Sequence, residues 1–88
     1  MTDLYEPIKV WVLFETNERS SSPNKIEPFI FFWRERKITI ESINMIHTSK
    51  SEGGVLYHFS VSSGGNFYRL QFNIGKMKWL LEQVEEVD

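Results

Sequence analysis

Apolar and polar residues alternate with a period of two along most of the chain, and the points where the alternation stops or slips mark its elements. Ile8, Val10, Val12 and Phe14 share one parity, with Lys9, Trp11, Leu13 and Glu15 on the other. That period predicts a strand over residues 8–16 whose second face is half apolar. The polar run Asn17-Glu18-Arg19-Ser20-Ser21-Ser22-Pro23-Asn24 predicts a loop. A second strand is predicted from Ile26 to Trp33, with Ile26, Pro28, Ile30 and Phe32 on one face and Glu27, Phe29, Phe31 and Trp33 on the other. Pro28 lacks a donor N–H, which places an edge or a bulge at the start of this strand. Arg34-Glu35-Arg36 then reads as a tight charged turn into a third strand carrying Ile38 and Ile40 on one face. After Ile40 the apolar phase slips to Ile43 and Met45. A slip of one residue turns side chains to the opposite face, so a bulge or break is predicted at Glu41–Ser42, with one helical turn after it as an option.

The second half repeats the pattern. His47 to Gly54 reads as a polar loop. Val55, Tyr57, Phe59 and Val61 form a strand face, and Ser62-Ser63-Gly64-Gly65-Asn66 a hairpin turn in which paired glycines permit positive φ. Tyr68, Leu70, Phe72 and Ile74 are the inward residues of the next strand, with Phe67, Arg69, Gln71 and Asn73 outward. Residues 77–87 fit either a helix, with Met77, Leu80, Leu81, Val84 and Val87 on one stripe, or a hairpin partner of the preceding strand. The expected fold is therefore mainly β: a small antiparallel twisted sheet or open barrel of five or six strands, with a C-terminal helix left open. Its core face would hold Ile8, Val10, Val12, Phe14, Ile30, Phe32, Ile38, Ile40, Tyr57, Phe59, Val61, Tyr68, Leu70 and Phe72.

At 88 residues the chain is read as a single domain, residues 1–88. A chain of this size buries only roughly 60–65% of the surface its unfolded form exposes. It has no cysteine, so neither a disulfide nor a thiolate metal site contributes. Aromatic packing is the available substitute, since Phe, Trp and Tyr make up 15% of the chain. The N-terminal residues are acidic and lack the apolar stretch of a secretory signal, and no apolar run reaches membrane-spanning length. These features imply a cytoplasmic protein with no membrane association. The net charge of −2 speaks against a dedicated nucleic-acid binder, although Arg34, Arg36, Lys37 and Arg69 fall in the central sheet and the acidic residues gather toward the C-terminus.

Little in the sequence points to catalysis. His47 and His58 have no carboxylate at ligand spacing beside them, so no metal and no cofactor is expected. Ser60, Ser62 and Ser63 lie near His58 in sequence but without a nucleophile elbow, so no catalytic residue is assigned and no enzyme is expected. The Gly64-Gly65 pair has no Walker lysine after it and reads as turn chemistry.

The elements Phe32-Trp33-Arg34-Glu35-Arg36-Lys37-Ile38-Thr39-Ile40, Tyr57-His58-Phe59-Ser60-Val61, Gly65-Asn66-Phe67-Tyr68-Arg69-Leu70-Gln71-Phe72 and Lys78-Trp79-Leu80-Leu81 with the final Asp88 resemble a family of small bacterial β domains of unknown function. That family's pattern is an aromatic-Trp-Arg-Gly-Arg turn, a Tyr-x-Val strand, a Gly-then-Tyr-x-Leu strand and a last Trp-x-Leu strand. Some of its members are similar to the C-terminal segment of inactive Y-family polymerase homologues in mutagenic repair assemblies. The resemblance covers about residues 26–88. Glu35 stands where the pattern has Gly, and the Trp that many members carry near positions 45–47 is missing. The resemblance implies a strand over 78–84 and no catalytic residues.

Apolar residues outnumber what one face of a small sheet can bury. Trp11, Leu13, Phe29, Phe31 and Trp33 are left for the second face, rimmed by Arg34 and Arg36. Exposed apolar patches of that kind mark interfaces, and aromatics with Arg are the residues that dominate them. The expected function is a non-catalytic protein-interaction or self-associating module, placed by the resemblance in a DNA repair or replication assembly. The alternative is a single-stranded nucleic-acid-binding domain that stacks bases on aromatics, with Trp33, Arg34, Arg36, Lys37 and Arg69 as its site.

Overall fold

The structure is a computed structural model that describes residues 2–16 and 25–87. The polar stretch 17–24 and Asp88 lie outside the described residues. The elements are β1 (Thr2–Pro7), β2 (Lys9–Glu15), β3 (Lys25–Trp33), β4 (Arg36–Thr39), β5 (Ser42–Ser51), β6 (Gly54–Ser63), β7 (Asn66–Asn73) and β8 (Lys78–Glu85). They form two antiparallel sheets, one in the order β1-β8-β7-β6-β5 and the other in the order β2-β3-β4. The all-β, antiparallel, unclosed architecture expected from the alternation is thus the one found, but with eight strands among the described residues in two sheets, where five or six in one were expected.

Two layers explain how so many aromatics are buried. One cluster of side chains joins both sheets: Phe31, Trp33 and Ile38 from the smaller sheet, and Phe59, Val61, Tyr68, Leu70, Phe72, Leu81 and Val84 from the larger. Phe31 meets Tyr68 edge to face at 5.2 Å, and Phe72 stacks on Trp79 at 4.6 Å. The chain changes layer twice. At Pro7–Ile8 it leaves the larger sheet, with the Ile8 N–H donating back to the Trp79 carbonyl at 3.2 Å. At Ile40–Glu41 it returns, the Ile40 N–H donating to Phe29 O and the Glu41 N–H to Ser62 O, both at 2.9 Å. The break predicted at Glu41–Ser42 is this second crossing.

Of the two options for residues 77–87 the strand is the one found: residues 78–85 pair with β7 and β1, and no helix occurs among the described residues. The acidic N-terminal stretch, for which the pattern predicts no element, forms an edge strand on β8. Two expectations are corrected. Residues 47–51, read as loop, belong to β5, because Glu52-Gly53 supplies a two-residue turn that pairs Ser51 with Gly54. The second concerns β3. The partners of β2 jump from Ile30 to Pro28 between Trp11 and Val12, so Phe29 is the extra residue of a bulge. Beyond it the parity inverts. Phe31 is 0% and Trp33 6% exposed, whereas Ile30 and Phe32, expected in the core, turn to the outer face. Phe14, at the outer end of β2, touches Phe72 but remains exposed.

Candidate interaction surface

The register of β2, β3 and β4 decides what the outer face of the smaller sheet presents. Lys9, Phe32 and Lys37 form one row across the three strands, Trp11, Ile30 and Thr39 the next, and Leu13 pairs with Glu27 beyond the bulge. Phe29, put out of phase by its bulge, turns its ring to the same side, 6.4 Å from Trp11, and Phe32 lies 6.0 Å from Trp11 on the other flank. The result is a continuous apolar surface in which Trp11, Leu13 and Phe29 are exposed and Ile30 and Phe32 half-buried. Its rim carries both charges. Lys37 Nζ stands 6.0 Å from the Trp11 ring centre, and Lys25 bridges to Glu27 at 3.7 Å. Pro7, Ile8, Lys9, Trp11, Phe32 and Glu35 line a shallow groove where β2 meets the β3–β4 turn.

Of the residues assigned to a protein-binding face, Trp11, Leu13 and Phe29 are therefore brought together. Phe31 and Trp33 are not, because the bulge sends them into the core. Arg34 and Arg36 flank Trp33 instead of the patch, with guanidinium carbons 4.8 and 4.9 Å from its ring centre. Arg34 is held further by Glu6, whose Oε2 accepts from Nη2 at 2.8 Å, while Glu6 Oε1 accepts from Trp33 Nε1 at 3.3 Å. These contacts hold the Glu6 carboxyl below its usual range, the Arg34 hydrogen bond being the largest cause, opposed by desolvation.

The set assigned to nucleic acid is not assembled. Trp33 is buried beneath its two arginines, so its face is not open for a base to stack on. Arg69 pairs with Ser60 and Gln83 on the outer face of the other layer, across the core from Lys37. Only Lys37 borders the exposed aromatics.

A second constellation escaped the sequence reading altogether. On the outer face of the larger sheet, Glu82 lies in the bulge of β8 that interrupts its pairing with β7, and it is 5% exposed. Its Oε2 accepts from Gln71 Nε2 at 2.6 Å and meets His58 Nδ1 at 3.0 Å. The other ring nitrogen of His58, Nε2, is 2.8 Å from Ser49 Oγ, and His47 stacks on the same ring at 4.5 Å between centres. The available signal was the Glu52-Gly53 turn. Had it been read as a hairpin, pairing would have set His47 opposite His58 and Ser49 opposite Leu56.

Comparison of the chain with protein-family models, with curated proteins and with solved structures finds no match to any of them.

Proposed function

We propose that the domain is a protein-interaction module whose contact surface is the outer face of the three-stranded sheet. The observation that carries this reading is the cluster of Trp11, Leu13 and Phe29, exposed side by side on the paired strands β2 and β3 while the core is already filled by other residues. A domain that leaves two aromatics and a leucine together in water loses the free energy of burying them, and a partner restores it. Lys9 and Lys37 at one end and Glu27 and Glu15 at the other give the patch a polar rim, the arrangement that excludes water around an apolar centre. About residues 26–88 resemble a family of small β domains, some of whose members are similar to the C-terminal segment of inactive polymerase homologues in mutagenic repair assemblies, and this supports a partner in DNA repair or replication as an associational argument.

The test is capture of partners by the tagged protein from its host's lysate, with and without nuclease, beside a Trp11→Ala variant. Trp11 is the control position because it is exposed, whereas Trp33 is a core residue whose loss would unfold the domain and mimic lost binding. A protein retained after nuclease treatment and lost with Trp11→Ala supports the reading. Recovery that disappears with nuclease transfers the surface to single-stranded nucleic acid, and a concentration-dependent mass in sedimentation identifies the partner as a second copy.

A further inference from the structure

The relay on the opposite layer is ordered in a way that structural satisfaction of Glu82 does not require. Burying that carboxylate needs donors, and Gln71 and His58 supply two. A carboxylate only accepts, so in the neutral imidazole the His58 Nδ1 proton points to Glu82 and Nε2 is left as the acceptor. That acceptor then faces the hydroxyl of Ser49, which is exposed on the edge strand β5. The His47 ring covers one side of the imidazole and fixes its plane. A hydroxyl, a base and a carboxylate that orients the base stand in line, at 2.8 and 3.0 Å.

From this geometry we propose that Ser49 is an activated nucleophile, with His58 as its general base and Glu82 as the positioning residue, in acyl transfer from carboxylic esters. Ser49 Oγ attacks the ester carbonyl carbon as its proton passes to His58 Nε2. The bond to the alcohol oxygen breaks, that oxygen takes the proton from His58, and the acyl group stays on Ser49. Water then attacks the acyl carbon, giving its proton to His58. His58 returns the proton to the departing Ser49 oxygen, and the carboxylic acid is released. Leu56 lies across the strand pair from Ser49, and Met45 projects from the same face of β5, so a short apolar acyl chain has a surface to rest on. The open face encloses no substrate, which restricts the reaction to esters with good leaving groups and makes hydrolysis of the acyl-serine the slow step. The proposal stands on a different layer from the interaction surface, and either can fail alone.

The test uses the whole protein with p-nitrophenyl acetate and, separately, a fluorophosphonate probe. The expected result is a burst of p-nitrophenolate of about one equivalent per chain, with acetyl and phosphonyl groups mapped to Ser49 by peptide mass spectrometry. Ser49→Ala, at an exposed position, abolishes the burst without changing the circular dichroism spectrum. His58→Asn lowers the burst rate by roughly 10²–10⁴-fold, the usual contribution of a general base. Glu82→Gln slows it as well, and Glu82→Asp restores part of the rate, which a merely structural role would not produce. Labelling spread evenly over the serines, acyl groups found only on lysine or histidine, or a burst unchanged in Ser49→Ala each overturn the proposal.

Discussion

Glu6 accepts two hydrogen bonds at once, from Trp33 Nε1 at 3.3 Å and from Arg34 Nη2 at 2.8 Å. It thereby ties β1, an edge of the larger sheet, to the end of β3 and the turn of the smaller one. The folded state holds this carboxyl more acidic than the unfolded chain does, chiefly through the Arg34 hydrogen bond. For a carboxyl of lowered pKa, the folded state binds fewer protons than the unfolded one in the window between the two values. Its stabilising contribution is present above the unfolded carboxylate range and is lost as pH falls through the folded value. Glu6→Gln should lie below wild type at neutral pH and approach it as the solution is acidified. Urea denaturation at stepped pH measures the gap, and a gap that stays constant into acid would refute the assignment.

Phe29 and Phe31 are two residues apart and would share a face in a regular strand, yet one is 43% and the other 0% exposed. Phe31→Ala should cost about 3–5 kcal/mol, a large part of the ~5–15 kcal/mol that holds a domain together. Phe29→Ala should stay within about 1 kcal/mol, as surface substitutions do. Thermal unfolding separates them readily, since each kcal/mol moves the midpoint by roughly 4–8 °C in a domain of this size. Equal shifts would mean that the bulge is absent.

The same pair shows what was legible beforehand. Alternation reported the strands faithfully where both partners keep step: on β6 and β7 every residue expected in the core from Phe59 to Phe72 is buried. Pro28 signalled an irregularity on β3, but a missing donor does not say whether the chain bends, ends or gains a residue. Only the pairing with β2 shows that Phe29 is the extra one, and every residue after it changes side. Hence Trp11, Leu13 and Phe29 of the candidate surface could be read from parity, while Phe31 and Trp33 could not. β1 escaped for another reason. Its residues are polar or sit at an edge, so it is a strand because β8 offers a partner, and propensity within the segment does not disclose that. The Ser49, His58 and Glu82 relay depends on a hairpin register and on a second bulge, both of them long-range facts.

Arg34 and Glu35 form the two-residue turn between β3 and β4 with φ of 50° and 65°. Both central positions of such a turn need positive φ, and its second position favours glycine. A side chain in that region is strained by about 1–2 kcal/mol, and glycine returns part of this through the freedom it adds to the unfolded chain. Glu35→Gly is expected to stabilise the domain by roughly 0.5–1 kcal/mol by the same balance. Chemical denaturation is the check, and a loss of stability would show that Glu35 makes a contact that outweighs its strain.

Trp11 separates binding from folding. It is 53% exposed, and on its own sheet face its aromatic neighbours are Phe29 and Phe32, each about edge-on. Trp11→Ala should therefore leave stability within about 1 kcal/mol of wild type. Against a partner docked on the patch, the same truncation removes a central aromatic, and such residues cost 2 kcal/mol or more, roughly 30-fold in affinity. Lys37 discriminates further because its ammonium approaches the Trp11 ring at 6.0 Å from the rim. Lys37→Glu should change a protein partner's affinity modestly and mainly through its association rate, as rim charges do. It should weaken a nucleic-acid ligand strongly and flatten the dependence of binding on salt. Titrating the captured partner against both variants at low and high salt distinguishes the two. An unchanged affinity with Trp11→Ala would place the contact elsewhere on the domain.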